Sequence, residues 1–202
     1  MSFNYPNFEP KLGNLTELIK REYITEKIKT KAMTEDALHD KQINSLIASN
    51  DINKKIFFWQ LYSIIGEDSI HILIKNFYER IFKDSSAPWF RDEFLDLGSL
   101  EYHIRGQKKF WLDVMGGGPH YWGGLKKLNI RHKLVKNIMT IAGAQRWMMH
   151  MRASLLEVKL IFEHDKRIIP CINDFLIFFM KKYSVEFDFN IFEVPSLSLS
   201  RI

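Results

Sequence analysis

The sequence predicts an all-α protein, and three observations carry that prediction. Apolar residues recur at steps of three and four along most of the 202 residues, which is the spacing that places side chains on one side of a helix. The ten glycines and six prolines lie mainly between these periodic segments, where such residues end helices. No alternation of strands and helices indicates a parallel sheet.

Six helices are predicted in the apolar part of the chain, which begins at Ile56. They are expected over residues 56–65, 69–83, 97–115, 125–132, 142–164 and 170–183. Gly66, the run from Asp84 to Pro88 and the run from Gly116 to Pro119 separate the first four. The tail after Phe187 alternates weakly and is expected to form a strand or an ordered coil.

The first fifty residues are predicted to form a separate, polar unit. Asn14 followed by Glu17 resembles a capping box that starts a helix, and a second helical stretch is expected over residues 34–48. The predicted organisation is therefore an N-terminal helical extension over residues 1–52, a main domain over residues 53–187 and a C-terminal tail over residues 188–202.

Charge and composition exclude several classes of protein. The net charge is +5, but the 29 basic residues are interspersed with 24 acidic ones, which favours a mixed solvated surface over a nucleic-acid-binding stripe. The longest apolar run, residues 175–180, is far shorter than the roughly 20 residues of a membrane span. No secretory signal is visible, and Cys171 is the single cysteine. We therefore expect a cytoplasmic protein without disulfides.

Several polar residues interrupt the apolar stripes of the predicted helices. His103 and Gln107 lie one turn apart on one helix, and His132 takes a position on another where leucine would be expected. Tyr78 and Trp147 complete the set. Taken singly, each is typical of a hydrogen-bonded or packed core residue. Together they predict a cavity with a ligating imidazole on one wall and hydrogen-bonding groups on another.

Haem is the cofactor that best suits such a cavity. Zinc requires three or four protein ligands, and non-haem iron requires two histidines and a carboxylate; neither set is visible on one helical face. Haem needs one axial imidazole, an apolar slot and a distal pocket of suitable polarity. The aromatic content of 14% and the eight methionines suit that slot.

Four short motifs between Phe57 and Tyr183 together carry a resemblance to a known family. They are Phe77-Tyr78, Gln107-Lys108-Lys109-Phe110 leading into Gly116-Gly117-Gly118-Pro119, Arg131-His132, and Trp147 with Met148 and Met151. In this order they resemble the truncated haemoglobins of the second group. That resemblance implies a globin-like, two-over-two helical sandwich, extended here by the N-terminal segment.

The resemblance also implies roles for individual residues. His132 would be the proximal ligand of the haem iron, and Tyr78 and Trp147 would hydrogen bond to the bound gas. His103 would occupy the distal position, as a donor or as a possible second iron ligand, with Gln107 one turn later. The remaining residues expected to contact the haem are Phe77, Phe90, Phe110, Arg131 at a propionate, and Met151.

The sequence departs from the family pattern at three places. Gly66-Glu67 stands where paired glycines are usual, the glycine motif has one extra residue, and about two extra residues separate His132 from Trp147. The extra glycine leaves a second register open, in which Ile104 and Lys108 would replace His103 and Gln107. Burial of a lysine beside the iron would be costly, which favours His103 and Gln107.

The expected function is the binding of oxygen, and of nitric oxide, at a ferrous haem, for transport or sensing rather than catalysis. Three hydrogen-bond donors in one pocket predict slow oxygen release. Alternatives are six-coordination by His103, with a role in electron transfer, and peroxidase or nitric oxide dioxygenase activity, which needs an external reductase. A further alternative is a vestigial pocket in an interaction module organised by the N-terminal helices.

Overall fold

A computed structural model describes residues 6–190, apart from the side chain of Arg131. The helices in this range are α1 (Thr16–Lys29), α2 (Lys41–Asn44), α3 (Tyr62–Phe82), α4 (Pro88–Leu97), α5 (Leu100–Val114), α6 (Gly124–Leu134), α7 (Ile141–Glu157), α8 (Lys159–Phe162) and α9 (Ile168–Glu186). Three 3₁₀ turns accompany them: Glu35–Leu38, Phe58–Gln60 and Lys136–Ile138.

The all-α class is confirmed. Residues 6–190 contain no strand, and a single isolated bridge joins Lys11 to Gly117. None of the helices described is both long and apolar enough to cross a bilayer. The weakly alternating tail, predicted as a strand or coil, lies outside the described residues from Ile191 onward, and α9 extends to Glu186 before it.

The predicted break at Gly66 is present as a kink within α3, because the φ and ψ of Gly66 are not helical and the helix resumes after it. The predicted helix over residues 56–65 is instead the 3₁₀ turn Phe58–Gln60 and the first turn of α3. Gly66 has a φ of 65°, a conformation that glycine adopts without steric cost. A Cβ at this position would lie 2.6 Å from the ring of Phe8. Both the conformation and the space therefore require glycine.

Two further helix predictions are corrected. The run from Asp84 to Pro88 predicts only the end of a helix, but Pro88 is also the first residue of α4, where its fixed φ is favourable. The predicted helix over residues 142–164 is divided at Val158 into α7 and α8. Helix α4 contributes Phe90 and Phe94 to the buried interior of the protein.

The core is aromatic and joins the helices of both halves of the chain. Phe175 of α9 lies 5.0 Å from Trp111 of α5 and 5.3 Å from Phe58, measured between ring centroids. Edge-to-face pairs of this kind add to the free energy of apolar burial. Helix α3 packs against both α5 and α7, so it lies at the centre of the fold.

The N-terminal segment is part of this core and is not a separate unit. Ile19 and Tyr23 of α1 have no exposed surface, and the Tyr23 ring lies 5.2 Å from Phe58 and 5.6 Å from Phe178. The expected helix over residues 34–48 is a 3₁₀ turn followed by the single turn α2. The boundary at residue 52 stays a prediction, but it does not separate two independent cores.

Asp113, at the end of α5, caps α1 in place of the predicted capping box. Its buried carboxylate accepts hydrogen bonds from the backbone N–H of Leu15, at 2.7 Å, and of Tyr121, at 2.9 Å. Asn14 does not cap the helix, because its side-chain amide donates to the carbonyl of Tyr121. Asp113 thus joins α1 to the turn that leads into α6.

We expect Asp113→Asn to lower the free energy of unfolding by about 1–3 kcal/mol. The amide NH₂ cannot accept a hydrogen bond, so one of the two buried backbone N–H groups loses its partner. Urea denaturation of the variant, with the exposed Asp68→Asn as control, measures the effect. Equal midpoints for the two variants would contradict the capping role.

Candidate functional site

A deep pocket lies among α3, α4, α5, α6, α7 and α9. Its empty space is about 1330 Å³, counting the part of the mouth that is open to solvent. The part that centres of water-sized molecules can occupy is about 190 Å³, and the space between packed helices is a common place for a ligand site. The lining is mainly aromatic and aliphatic with a few polar side chains, which is the composition that a large, flat and mostly apolar cofactor requires.

His132 lies on α6 and contributes to the lining of the pocket. Its Nδ1 is 2.9 Å from the backbone oxygen of Leu128, one turn earlier. A carbonyl oxygen only accepts hydrogen bonds, so Nδ1 carries the proton and Nε2 of the neutral ring keeps its lone pair. Metal-ligating histidines commonly donate their other N–H to a backbone carbonyl in this way. His132 is therefore in the tautomer that a ligand through Nε2 needs.

Tyr183 of α9 supports this histidine and is absent from the residues predicted from sequence. Its ring lies 4.1 Å from the His132 ring. Burial, with a smaller contribution from Glu186, raises the pKa of Tyr183 well above its ordinary value, so the phenol stays neutral. The sequence feature that could have predicted Tyr183 is the stripe formed by Leu176, Met180 and Tyr183, at steps of four and three. All three residues line the pocket.

Tyr78 and Trp147 both line the pocket, from α3 and α7. The ring of Phe77 lies 5.0 Å from Tyr78 and 4.8 Å from Trp147, so the three rings form one cluster. Within residues 6–190 the indole N–H of Trp147 makes no hydrogen bond. A half-buried indole donor without a protein partner is available to a ligand in the pocket.

His103 also lines the pocket, but its Nε2 is already engaged. That nitrogen is 2.7 Å from the backbone oxygen of Phe94 on α4, so it donates to the carbonyl and Nδ1 is the acceptor nitrogen of the neutral ring. The His103 ring lies 5.3 Å from Tyr78. To ligate iron through Nε2, His103 would first have to lose its bond to α4.

The two registers of α5 that the sequence leaves open place different side chains at the pocket. His103 and Gln107 line the pocket, whereas Ile104 and Lys108 do not. Lys108 forms an ion pair with Glu67 at 2.6 Å instead. Gln107 is half-buried and makes no hydrogen bond among the described residues, so its amide can serve a ligand.

Of the residues expected to contact a haem, some line the pocket and others do not. Phe90 and Phe110 line the pocket. Phe77 and Met151 do not line it, and both are fully buried behind it. The side chain of Arg131 lies outside the described part of the chain, so its predicted contact with a propionate stays a prediction.

Behind the lining, the buried carboxylate of Asp84 joins the corner between α3 and α4 to α7. Arg146 donates from Nε, at 2.7 Å, and from Nη2, at 2.5 Å, to its two oxygens. The Nε2 of His150 donates to one of the same oxygens at 2.8 Å, and the Ser86 hydroxyl donates to the other. Bidentate, charge-assisted bonds of this kind are the strong ones.

This cluster holds two rings of the pocket in place. The His150 ring is stacked on Phe90, with 16° between the planes, and Arg146 directly precedes Trp147. The hydrogen bond from Arg146 holds the pKa of Asp84 far below its ordinary value. Burial lowers the pKa of His150 and outweighs the attraction of Asp84. The folded protein therefore keeps Asp84 ionised and His150 neutral.

We expect acid to destabilise the protein in two steps. As the pH falls below about 6.5, the ordinary histidine pKa, the unfolded chain protonates His150 while the folded ring resists, so the free energy of unfolding falls. Below about pH 4, Asp84 adds a second loss in the same way.

In His150→Gln, which keeps a side-chain N–H donor, the first step should disappear. Denaturation between pH 7 and pH 5, with the exposed His164→Gln as control, tests this, and an unchanged slope in His150→Gln would contradict it.

Comparison with known protein families agrees with this geometry. Residues 60–180 match the family model of the bacterial-like globins, which is more than half of the chain and includes Tyr78, His132 and Trp147. No solved structure gives a significant match. The predicted globin-like fold is confirmed. The chain thus belongs to the bacterial-like globin family, and membership implies a haem cofactor with diatomic gases as its ligands.

Proposed function

We propose that this globin holds its haem through Nε2 of His132 and binds oxygen, and also nitric oxide, with Tyr78, Trp147 and Gln107 as hydrogen-bonding groups. The observation that carries the proposal is the bond from Nδ1 of His132 to the carbonyl of Leu128. It leaves a lone pair on the other nitrogen of a ring that lines the pocket.

The pocket also suits the body of the cofactor. Phe90, Phe94, Phe110 and Phe179 line it from three different helices, and aromatic rings of this kind pack well against a flat macrocycle. When bound, the haem supplies an iron atom at which a diatomic gas binds. The protein contributes the axial imidazole and the polarity of the opposite side, which together decide what is bound and how tightly.

The hydrogen-bond donors of the pocket favour retention of a ligand that carries partial negative charge. A hydrogen bond to a charged group contributes roughly 1.5–3 kcal/mol, which corresponds to a release slowed about tenfold to a hundredfold. The indole of Trp147 is the best candidate because it has no partner among the described residues. Slow release fits retention or sensing of a gas better than bulk delivery.

The proposal includes a five-coordinate iron before the gas binds. His103 is the candidate for a sixth ligand, but its Nε2 donates to the carbonyl of Phe94 at 2.7 Å. Ligation would cost this buried hydrogen bond and leave the carbonyl without that donor. The arrangement therefore favours His103 as a packing and polarity residue beside Tyr78 over a role as an iron ligand.

The proposal extends to the finer family assignment, a truncated haemoglobin of the second group with an N-terminal extension. The support is the order of the motifs on the helices, with Tyr78 on α3, the glycine run after α5, His132 on α6 and Trp147 on α7. Arg131, next to His132, would pair with a haem propionate. A cytoplasmic location is proposed because Cys171 is the single cysteine and is buried as a free thiol.

We expect His132→Ala to abolish stable haem binding, since the substitution removes the axial ligand. Hemin titration should give a sharp Soret band in the wild type and a weak, broad one in the variant, restored in part by added imidazole. His164→Ala is the control, because His164 is exposed and its Nδ1 also donates to a backbone carbonyl. A normal Soret band in His132→Ala would contradict the proposal.

We expect Tyr78→Phe and Trp147→Phe each to raise the oxygen dissociation rate by about tenfold or more, because each removes a donor to the bound gas. Stopped-flow displacement of oxygen by carbon monoxide measures the rate. Trp89→Phe, at an exposed position, is the matched control. Rates equal to the wild type in both pocket variants would overturn the distal assignment.

A further inference from the structure

The chain has a long stretch without carboxylates around α6. Residues 114–156 contain no aspartate or glutamate but seven lysines and arginines. Lys126, Lys127, Lys133 and Lys136 are exposed, and none forms an ion pair with a carboxylate in the described structure. Elsewhere lysines commonly have such partners, as Lys182 has in Glu22 and Lys108 has in Glu67. The positive charge of these four lysines is therefore not paired with a carboxylate among residues 6–190.

Large apolar side chains are exposed among these lysines. Trp122, in the turn before α6, is 69% exposed, Ile130 is 50% exposed and Leu134 is 63% exposed. Lys126, Ile130 and Lys133 are spaced by four and three residues, which places them along one side of the helix. We call Trp122, Lys126, Ile130, Lys133 and Leu134 the α6 patch. Exposed apolar groups with a charged surround are typical of a protein interaction site.

The α6 patch lies directly beside the proposed haem site. The other side of the same helix carries Leu128 and His132, which line the pocket, and Leu134 itself belongs to both. Two carboxylates of neighbouring helices have contacts in this region. Glu93 of α4 accepts a hydrogen bond from Asn137, and Glu186 of α9 is close enough to Tyr183 to influence its pKa. A partner on this patch would meet a net positive surface next to the cofactor.

We propose that the α6 patch is the docking site of an acidic one-electron donor protein. The inference rests on the proposed haem function, because a ferric iron must gain one electron to become ferrous and residues 6–190 contain no flavin or nicotinamide module. The donor loses that one electron, and no proton or bond needs to move. Complementary charge would steer the donor to the patch, and Trp122, Ile130 and Leu134 would form the apolar centre of the contact.

The apolar residues favour a protein over a nucleic acid as the partner. Phosphate backbones are bound by cationic and polar side chains, and such surfaces do not need an exposed tryptophan, isoleucine and leucine beside the lysines. A protein interface combines an apolar centre with a polar, charged surround. The patch has both parts, with Lys127 and Lys136 flanking it.

The test uses two acidic donors, a flavodoxin and a plant-type ferredoxin, as probes. Binding is measured by calorimetry at low ionic strength with the haem-loaded and the haem-free protein, and haem reduction is followed by stopped flow. Lys126→Glu/Lys133→Glu should weaken binding and slow bimolecular reduction by about tenfold or more. Lys29→Glu/Lys166→Glu, which makes the same charge change at exposed sites elsewhere, should change neither by more than about twofold. High salt should remove the difference.

Two additional measurements separate the outcomes. Ile130→Ser should weaken binding even at high salt, because Ile130 is exposed in the apolar centre, does not line the pocket, and the change leaves the charge unaltered. Hemin affinity and the Soret band should be the same in the patch variants as in the wild type. If hemin does not bind at all, the proposed function fails, while binding of the donors to the haem-free protein still tests the patch.

Three results would overturn the docking proposal. The first is equal binding of both donors by the patch variant and its control. The second is binding of neither donor by the wild type. The third is tighter binding of duplex DNA, or of vesicles of anionic phospholipid, through the same two lysines.

Discussion

The hydrogen bond between Nδ1 of His132 and the carbonyl of Leu128 is the constraint on which the proposed chemistry depends. It selects the tautomer with a lone pair on Nε2, and it does so within one turn of α6. The rest of the fold has to hold α6 where that nitrogen can be used. Tyr183 of α9 packs on the ring, and the turn before α6 is held by Asp113, which also caps α1. The N-terminal segment thus contributes to the wall of the pocket without lining it.

The polar groups of the pocket differ in whether they already form hydrogen bonds with described residues of the protein. His103 donates to the backbone of α4, so it fixes the position of α4 beside Tyr78. Trp147 and Gln107 make no hydrogen bond among the residues described, and buried or half-buried donors without partners are unusual in folded proteins. Behind them the Asp84 cluster restrains Phe90 and the backbone next to Trp147. A ligand therefore meets available donors on a restrained framework, which lowers the entropic cost of binding.

Helix α6 combines two roles because its two sides have different compositions. The inner side places Leu128 and His132 in the pocket, and the outer side exposes Lys126, Ile130 and Lys133 to solvent. The low carboxylate content of residues 114–156 keeps that surface positive. One short helix therefore carries both the proposed iron ligand, His132, and the surface proposed for an acidic partner.

The sequence by itself determined the helical class and the identity of the inward polar residues, because both depend on local periodicity. It also located His132 and Trp147 through motif order. Only the tertiary structure decided what caps α1, where α4 begins and which side chain packs on His132. The capping of α1 depends on Asp113, about a hundred residues away, and the start of α4 at Pro88 reads equally well as a helix end. The spacing along α9 places Tyr183 on the inward side, but its contact with His132 depends on how α9 packs against α6. Long-range contacts between helices, rather than propensities within them, assigned these groups to the pocket.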